Sequence, residues 1–190
     1  VGAPPKENLK KLATLDIFAG CGGLSEGMHQ AGAAETKWAI EFEDAAAKSF
    51  ELNHKGAVVY NKNCNALLVG CIRNQNLVEF LAPNVDMEAL KEWDEMDKKS
   101  QDALPKKGEV DFICGGPPCQ GYSGMNRFSQ RNRLTIENEE RMVWSLVQND
   151  MVLNFLSWAD VTRPKYFMLE NVRNFVAHNK GSTFKVVIRT

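Results

Sequence analysis

Apolar positions along this chain fall into short continuous runs, separated by longer stretches in which they recur at helical spacing. "ATLDIF" (13–18), "TKWAIE" (36–41), "AVVY" (57–60), "EVDFIC" (109–114) and "KYFMLE" (165–170) read as five strands. Near-continuous apolar runs of this length suit strands buried on both faces. Between them, "LSEGMHQAG" (24–32) reads as a helix closed by Gly32, and "DAAAKSFELNH" (44–54) as a helix with Asp44 as its N-cap. A third helix is expected from about Ala66. The long segment "MVWSLVQNDMVLNFLSWADV" (142–161) has helical spacing and stops before Pro164. Strands alternating with helices predict an α/β fold with a mostly parallel sheet and helices on both faces.

Composition adds bounds rather than detail. With 190 residues, 44% hydrophobic and 25% charged, the chain is long enough for one domain with a substantial core. No apolar run approaches the length of a membrane span, and the first residues do not resemble a signal peptide. Five cysteines, an odd number without a CxxC pair, argue for a reducing compartment rather than a disulfide framework. Cys21, Cys64, Cys71 and Cys114 read as small buried apolar residues. His29, His54 and His178 are scattered, which makes metal binding a poor expectation.

The formal net charge of −1 is unevenly spread. Residues 84–102 hold seven acids against three lysines, a net −4 that leaves +3 for the rest of the chain. The low-β stretch 84–107 is expected to be an acidic surface insertion. Arg127, Arg131 and Arg133 follow the fourth strand with few acids among them, so that edge could face phosphates or simply be a solvated loop.

In a parallel sheet, ligands bind beyond the carboxyl ends of the strands. Four features of this sequence fall there: the glycine turn "AGCGG" (19–23), Glu41, the loop "GGPPCQGYSG" (115–124) and Glu170. Gly20 and Gly22 supply the start of a GxGxxG dinucleotide fingerprint, but its third position is Ser25. Glu41, about 20 residues on, suits a ribose diol. A glycine turn with a ribose carboxylate fits any adenosine cofactor, NAD included. In the loop after the fourth strand, two prolines and flanking glycines stop any regular structure and present Cys119 on a sharply turned segment. A thiol there, and a carboxylate at the next strand end, suggest a nucleophile with a proton-handling partner.

"DIFAGCGGLSEG" (16–27), "GGPPCQGYSGMNRF" (115–128) and "LENVRNF" (169–175), in this order, resemble the cytosine-5 DNA methyltransferases, most closely the eukaryotic maintenance family. The tRNA-methylating relative shares PPCQ and ENV but continues differently after the cysteine. The resemblance implies a Rossmann-like fold and the cofactor S-adenosyl-L-methionine. It also implies double-stranded DNA with a flipped cytosine as partner, no membrane, and action in the nucleus. Cys119 and Glu170 become the catalytic pair. Phe18, Ala19, Gly20, Gly23 and Leu24 would line the methionine end of the cofactor, with Glu41 on the ribose and Phe42 on the adenine. Asn63 and Cys64 occupy the adenine-contacting pair, where the family usually begins with Asp. Gln120, Ser123 and Arg127 would contact DNA, and no metal is implied. Family members continue into an arginine motif, a target-recognition region and further regulatory parts. The chain is therefore expected to be the N-terminal part of one catalytic domain and inactive alone. A noncatalytic DNA- or chromatin-binding module and an NAD-dependent oxidoreductase are the competing classes.

Overall fold

The computed structural model describes residues 10–77, 87–118, 151–177 and 182–189. Its centre is a five-stranded sheet in the order β3-β2-β1-β4-β5, every neighbouring pair parallel. The strands are β1 (Leu12–Ile17), β2 (Ala34–Ile40), β3 (Val58–Tyr60), β4 (Phe112–Gly115) and β5 (Tyr166–Leu169). All five expected strands are present. The helices are α1 (Gly23–Gln30), α2 (Asp44–Asn53), α3 (Cys64–Asn74), α4 (Met87–Asp94), α5 (Lys98–Asp102), α6 (residues 151–162) and α7 (Ser182–Arg189). The first half of the expected helix 142–161 lies outside the described residues.

Alternation along the strands builds two cores. Leu15, Ile17, Ile40, Tyr60 and Ile113 pack with Leu67 and Cys71 of α3, Trp93 of α4, and Phe155, Trp158 and Val161 of α6. On the opposite face, Ala39 packs with Phe50 of α2, and Asp16 meets Ser25 of α1. A register shift between Thr14 and Leu15 pairs Thr14 with Thr36 but Leu15 with Trp38. Lys37 is the extra residue, so Thr36 joins Asp16 and Ala39 on the α1 side while Trp38 and Ile40 face the main core.

Helix ends explain two departures from expectation. Gly32, at φ 69°, closes α1 as predicted: its N–H donates to His29 O, and that of Ala33 donates to Met28 O. For α2, however, the N-cap is Glu43 rather than Asp44. Asp44 lies in the first turn and pairs with Lys48 at 2.6 Å instead. The third helix begins at Cys64, two residues earlier than expected, because Asn63 caps it by accepting the Asn65 N–H at 2.9 Å.

The acidic stretch carries the two helices α4 and α5 among the described residues. α4 presents charge outward but buries Ala89 and Trp93, whereas α5 buries no side chain. Gly70 of α3 leaves the space that Trp93 fills, since a Cβ there would lie 2.1 Å from the indole.

Candidate functional site

The parallel strands deliver the glycine turn, Glu41, Gly115–Gly116 and Glu170 to one edge. Because β1 is flanked by β2 on one side and β4 on the other, the strand order reverses there, and the carboxyl ends of β1 and β4 form the switch point at which such sheets bind ligands. The chain leaves β1 through Phe18 at φ 60°, a left-handed conformation rarely adopted by a bulky residue, followed by Gly20 at φ 55° and Gly22 at φ 89°. Ala19 N–H donates to Ile40 O and Gly22 N–H to Ala19 O, so the turn is tied to β2 and to itself.

Glu41, at the end of β2, clasps this turn. Its Oε2 accepts the Gly20 N–H at 2.7 Å and its Oε1 accepts the Glu43 N–H at 2.7 Å. The residue is 9% exposed. Each carboxylate oxygen keeps a second lone pair for another donor. Phe42 beside it is 71% exposed, an apolar ring available for stacking. Asn61 Nδ2 donates to the carbonyls of both Glu41 and Phe42, fixing the exit from β2 against that from β3. Asn63 sits half-buried at the same edge, with its N–H donated to Glu92 Oε1 of α4 at 3.2 Å.

On the other side of this switch point, the end of β4 leaves no room for a side chain against β1. A Cβ on Gly115 would lie 2.2 Å from Ile17 O, and one on Gly116 would lie 3.0 Å from Glu170 Oε2. The second distance places the Glu170 carboxylate over the start of the loop that leads to Cys119. Glu170 N–H donates to Gly115 O at 2.9 Å, which fixes its backbone at the end of β5. The next residue, Asn171, accepts the Val172 N–H at Oδ1, while its Nδ2 is buried without a partner.

A buried polar network supports the turn from inside the sheet. Asp16 Oδ2 accepts the Ser25 hydroxyl at 2.6 Å, and Ser25 Oγ accepts the Thr36 hydroxyl at 2.8 Å. Burial pushes the Asp16 carboxyl up to about 6; hydrogen bonds from Ser25 and the Cys114 thiol pull the other way, and nearby Glu41 adds to the rise. Burial also raises the Cys114 thiol, and the neighbouring Asp16 raises it further.

A family model for C-5 cytosine-specific DNA methylase matches residues 12–66 and 72–190 of this chain. The chain belongs to the C-5 cytosine-specific DNA methylases. It is 49% identical over 184 residues to DNA (cytosine-5)-methyltransferase 4 of Arabidopsis thaliana, covering 97% of this chain and 11% of that protein. To DNA (cytosine-5)-methyltransferase 1 of Mus musculus it is 43% identical over 190 residues, covering 97% of this chain and 10% of that one. The chain thus spans about a tenth of the length of the curated relatives it matches. Among solved structures, it superposes on a protein described as a DNA modification methyltransferase encoded within an E. coli prophage. That match has a TM-score of 0.56 at 21% identity and covers 94% of this chain and 37% of that one. It also superposes on the S. pombe Dnmt2 methyltransferase at a TM-score of 0.52 and 18% identity, covering 95% and 40%. Both likenesses concern the fold.

In this methylase the edge brings together Phe18, Ala19, Gly20, Glu41 and Phe42, with Asn63 on the neighbouring strand exit. Gly23 and Leu24 open α1 directly after the turn. Cys64 is buried at 7% exposure, its Sγ 3.8 Å from Met151 Sδ, and burial raises its thiol to about 12. Its side chain is thus part of the core, and its backbone opens α3 directly after Asn63. Cys21, expected to be buried, is exposed because the positive-φ turn points it outward. Cys64, Cys71 and Cys114 are buried as expected. Cys119, Gln120, Ser123 and Arg127 lie outside the described residues. The Asp16–Ser25–Thr36 network was not expected; Ser25 stands at the third fingerprint position, where a glycine could not make this bond.

Proposed function

We propose that the intact protein transfers a methyl group from S-adenosylmethionine to C5 of cytosine in duplex DNA, as a nuclear, maintenance-type enzyme. This chain would supply the sheet edge of the cofactor site and the catalytic pair Cys119 and Glu170. The observation that carries the reading is the clasp of Glu41 on Gly20 at the end of β2, with Glu170 over Gly116 at the ends of β5 and β4.

The residues present fit the cofactor. Glu41 is held by two backbone donors and retains acceptor capacity toward a ribose diol, and exposed Phe42 offers a stacking face for adenine. S-adenosylmethionine supplies an electrophilic methyl group. The Cys119 thiolate adds to C6 of the flipped base, which makes C5 nucleophilic, and loss of the C5 proton later expels the cysteine. Glu170 hydrogen-bonds the pyrimidine at N3 and the exocyclic amine and handles the proton there. Its carboxylate lies beside Gly116, three residues before Cys119, and its backbone is pinned to β4. Gln120, Ser123 and Arg127 contact the DNA around the emptied site.

Calorimetric titration of the intact protein with S-adenosylhomocysteine and with NAD separates this reading from an oxidoreductase. Binding of the former, weakened in Glu41→Ala, with no heat from NAD, is the expected result. NAD binding at the same site would overturn it.

A further inference from the structure

The glycine turn is braced by a buried side chain that is not among the candidate cofactor residues. His54, at the end of α2, is 4% exposed, and its Nε2 lies 3.1 Å from Gly22 O. A carbonyl oxygen accepts, so Nε2 carries the proton and donates. In the neutral ring that leaves Nδ1 as a bare lone pair, and Nδ1 is buried without a partner. Phe50 packs on the imidazole at 4.4 Å between ring centroids. The fit at Gly22 is close: a Cβ there would lie 2.4 Å from His54 Nε2. Gly22 O also accepts the Glu26 N–H, the opening bond of α1. The imidazole therefore grips the left-handed residue that joins the turn to the helix.

A metal site is the obvious competing role, because ligand atoms of Glu26, His29 and His54 lie within 4.8 Å of one another. The tautomers argue against it. His29 Nε2 accepts the Thr36 N–H at 2.9 Å, so its proton sits on Nδ1. Ligation by His29 would require losing either that proton or the bond to β2. Burial, with His54 nearby, lowers the His29 pKa, which favours the neutral ring that this bond needs.

We infer that His54 is a positioning residue for the cofactor, its Nε2–H holding the Gly20–Gly22 turn in the shape that receives the methionine end. The inference rests on the cofactor reading above. It is tested in the intact protein by titrating S-adenosylhomocysteine into wild type, His54→Gln and His54→Leu. Glutamine places an amide N–H near the former Nε2, whereas leucine fills similar volume without a donor. The leucine variant should bind roughly 5- to 10-fold more weakly, the scale of one net hydrogen bond. Glutamine should stay within about twofold of wild type even if both variants melt at the same lowered temperature. Equal affinity in all three proteins, or glutamine as weak as leucine, would overturn the inference while leaving the cofactor reading intact. No binding to wild type would defeat the cofactor reading and this inference with it. Should His54→Leu not fold, ¹⁵N NMR of the wild-type imidazole decides. A proton on Nε2 is expected; a proton on Nδ1, or stoichiometric zinc binding abolished by His54→Gln, would overturn it.

Discussion

Asp16 carries the most quantitative prediction of this structure. Its carboxyl is 1% exposed at the centre of the sheet and is raised from 3.8 to about 6. The folded state therefore holds the proton more tightly than the unfolded chain, so stability falls as pH rises above the unfolded value of 3.8 and levels off once pH has passed the folded value of about 6. The gap between 3.8 and about 6 corresponds to about 3 kcal/mol at pH well above 6. The penalty should be fully relieved below pH 3.8 and fully present above about pH 7. Between pH 7.5 and pH 5, Asp16 alone should add about 1 kcal/mol of stability. Asp16→Asn removes the ionisation and keeps an oxygen for the Ser25 hydroxyl. The assay is urea unfolding of a domain-length protein at several pH values, followed through the buried tryptophans Trp93 and Trp158. His29 works in the opposite direction, because its lowered pKa makes the folded state lose stability as pH falls below 6.5. The quantity to read is therefore the difference between wild type and Asp16→Asn. The variant should be the more stable at pH 7.5, with an advantage that shrinks by about 1 kcal/mol at pH 5. A difference that does not change with pH would refute the reasoning, because it would mean that Asp16 stays ionised when buried.

Gly115→Ala should cost at least about 2 kcal/mol, because the new methyl meets the Ile17 backbone oxygen, which cannot yield without opening β1 from β4; an unchanged thermal melt would contradict this. Glu170→Gln in the intact protein should leave S-adenosylhomocysteine affinity nearly unchanged and slow methyl transfer by about 10²-fold or more. Comparable loss of cofactor binding would make Glu170 a structural residue. Asn63→Ala should lower stability by about 1 kcal/mol in urea unfolding, because it removes the cap of α3, while Asn63→Asp should not.

The central strands were legible because a parallel sheet demands apolar runs where it is covered, whereas β5 kept such a run although Tyr166, Phe167 and Met168 are exposed among the described residues; the edge residues followed from where the runs stop. Helix starts were less legible. Asp44 has the chemistry of a cap, but Glu43 takes the position because the bond from its N–H to Glu41 sets the chain direction one residue earlier. Asn63 was visible as a site residue and not as a cap, since polar Asn65 and two cysteines blur the helical period of α3. The Asp16–Ser25–Thr36 network depends on the extra residue Lys37, which reverses the faces of β2 midway. No pattern of apolar residues encodes that register shift. His54 was set aside as scattered because its contact with Gly22, 32 residues away, exists only in the fold.

The central claim is that the thiol of Cys119 attacks cytosine at this sheet edge. Its most direct test is incubation of the intact protein with S-adenosylmethionine and duplex DNA carrying 5-fluorocytosine at the target. Fluorine in place of the C5 proton blocks the elimination that would free the enzyme, so the covalent complex should accumulate. Peptide mapping should find the base on Cys119, and Cys119→Ser should form no adduct. An adduct that persists in that variant, or maps to Cys114, would contradict the account.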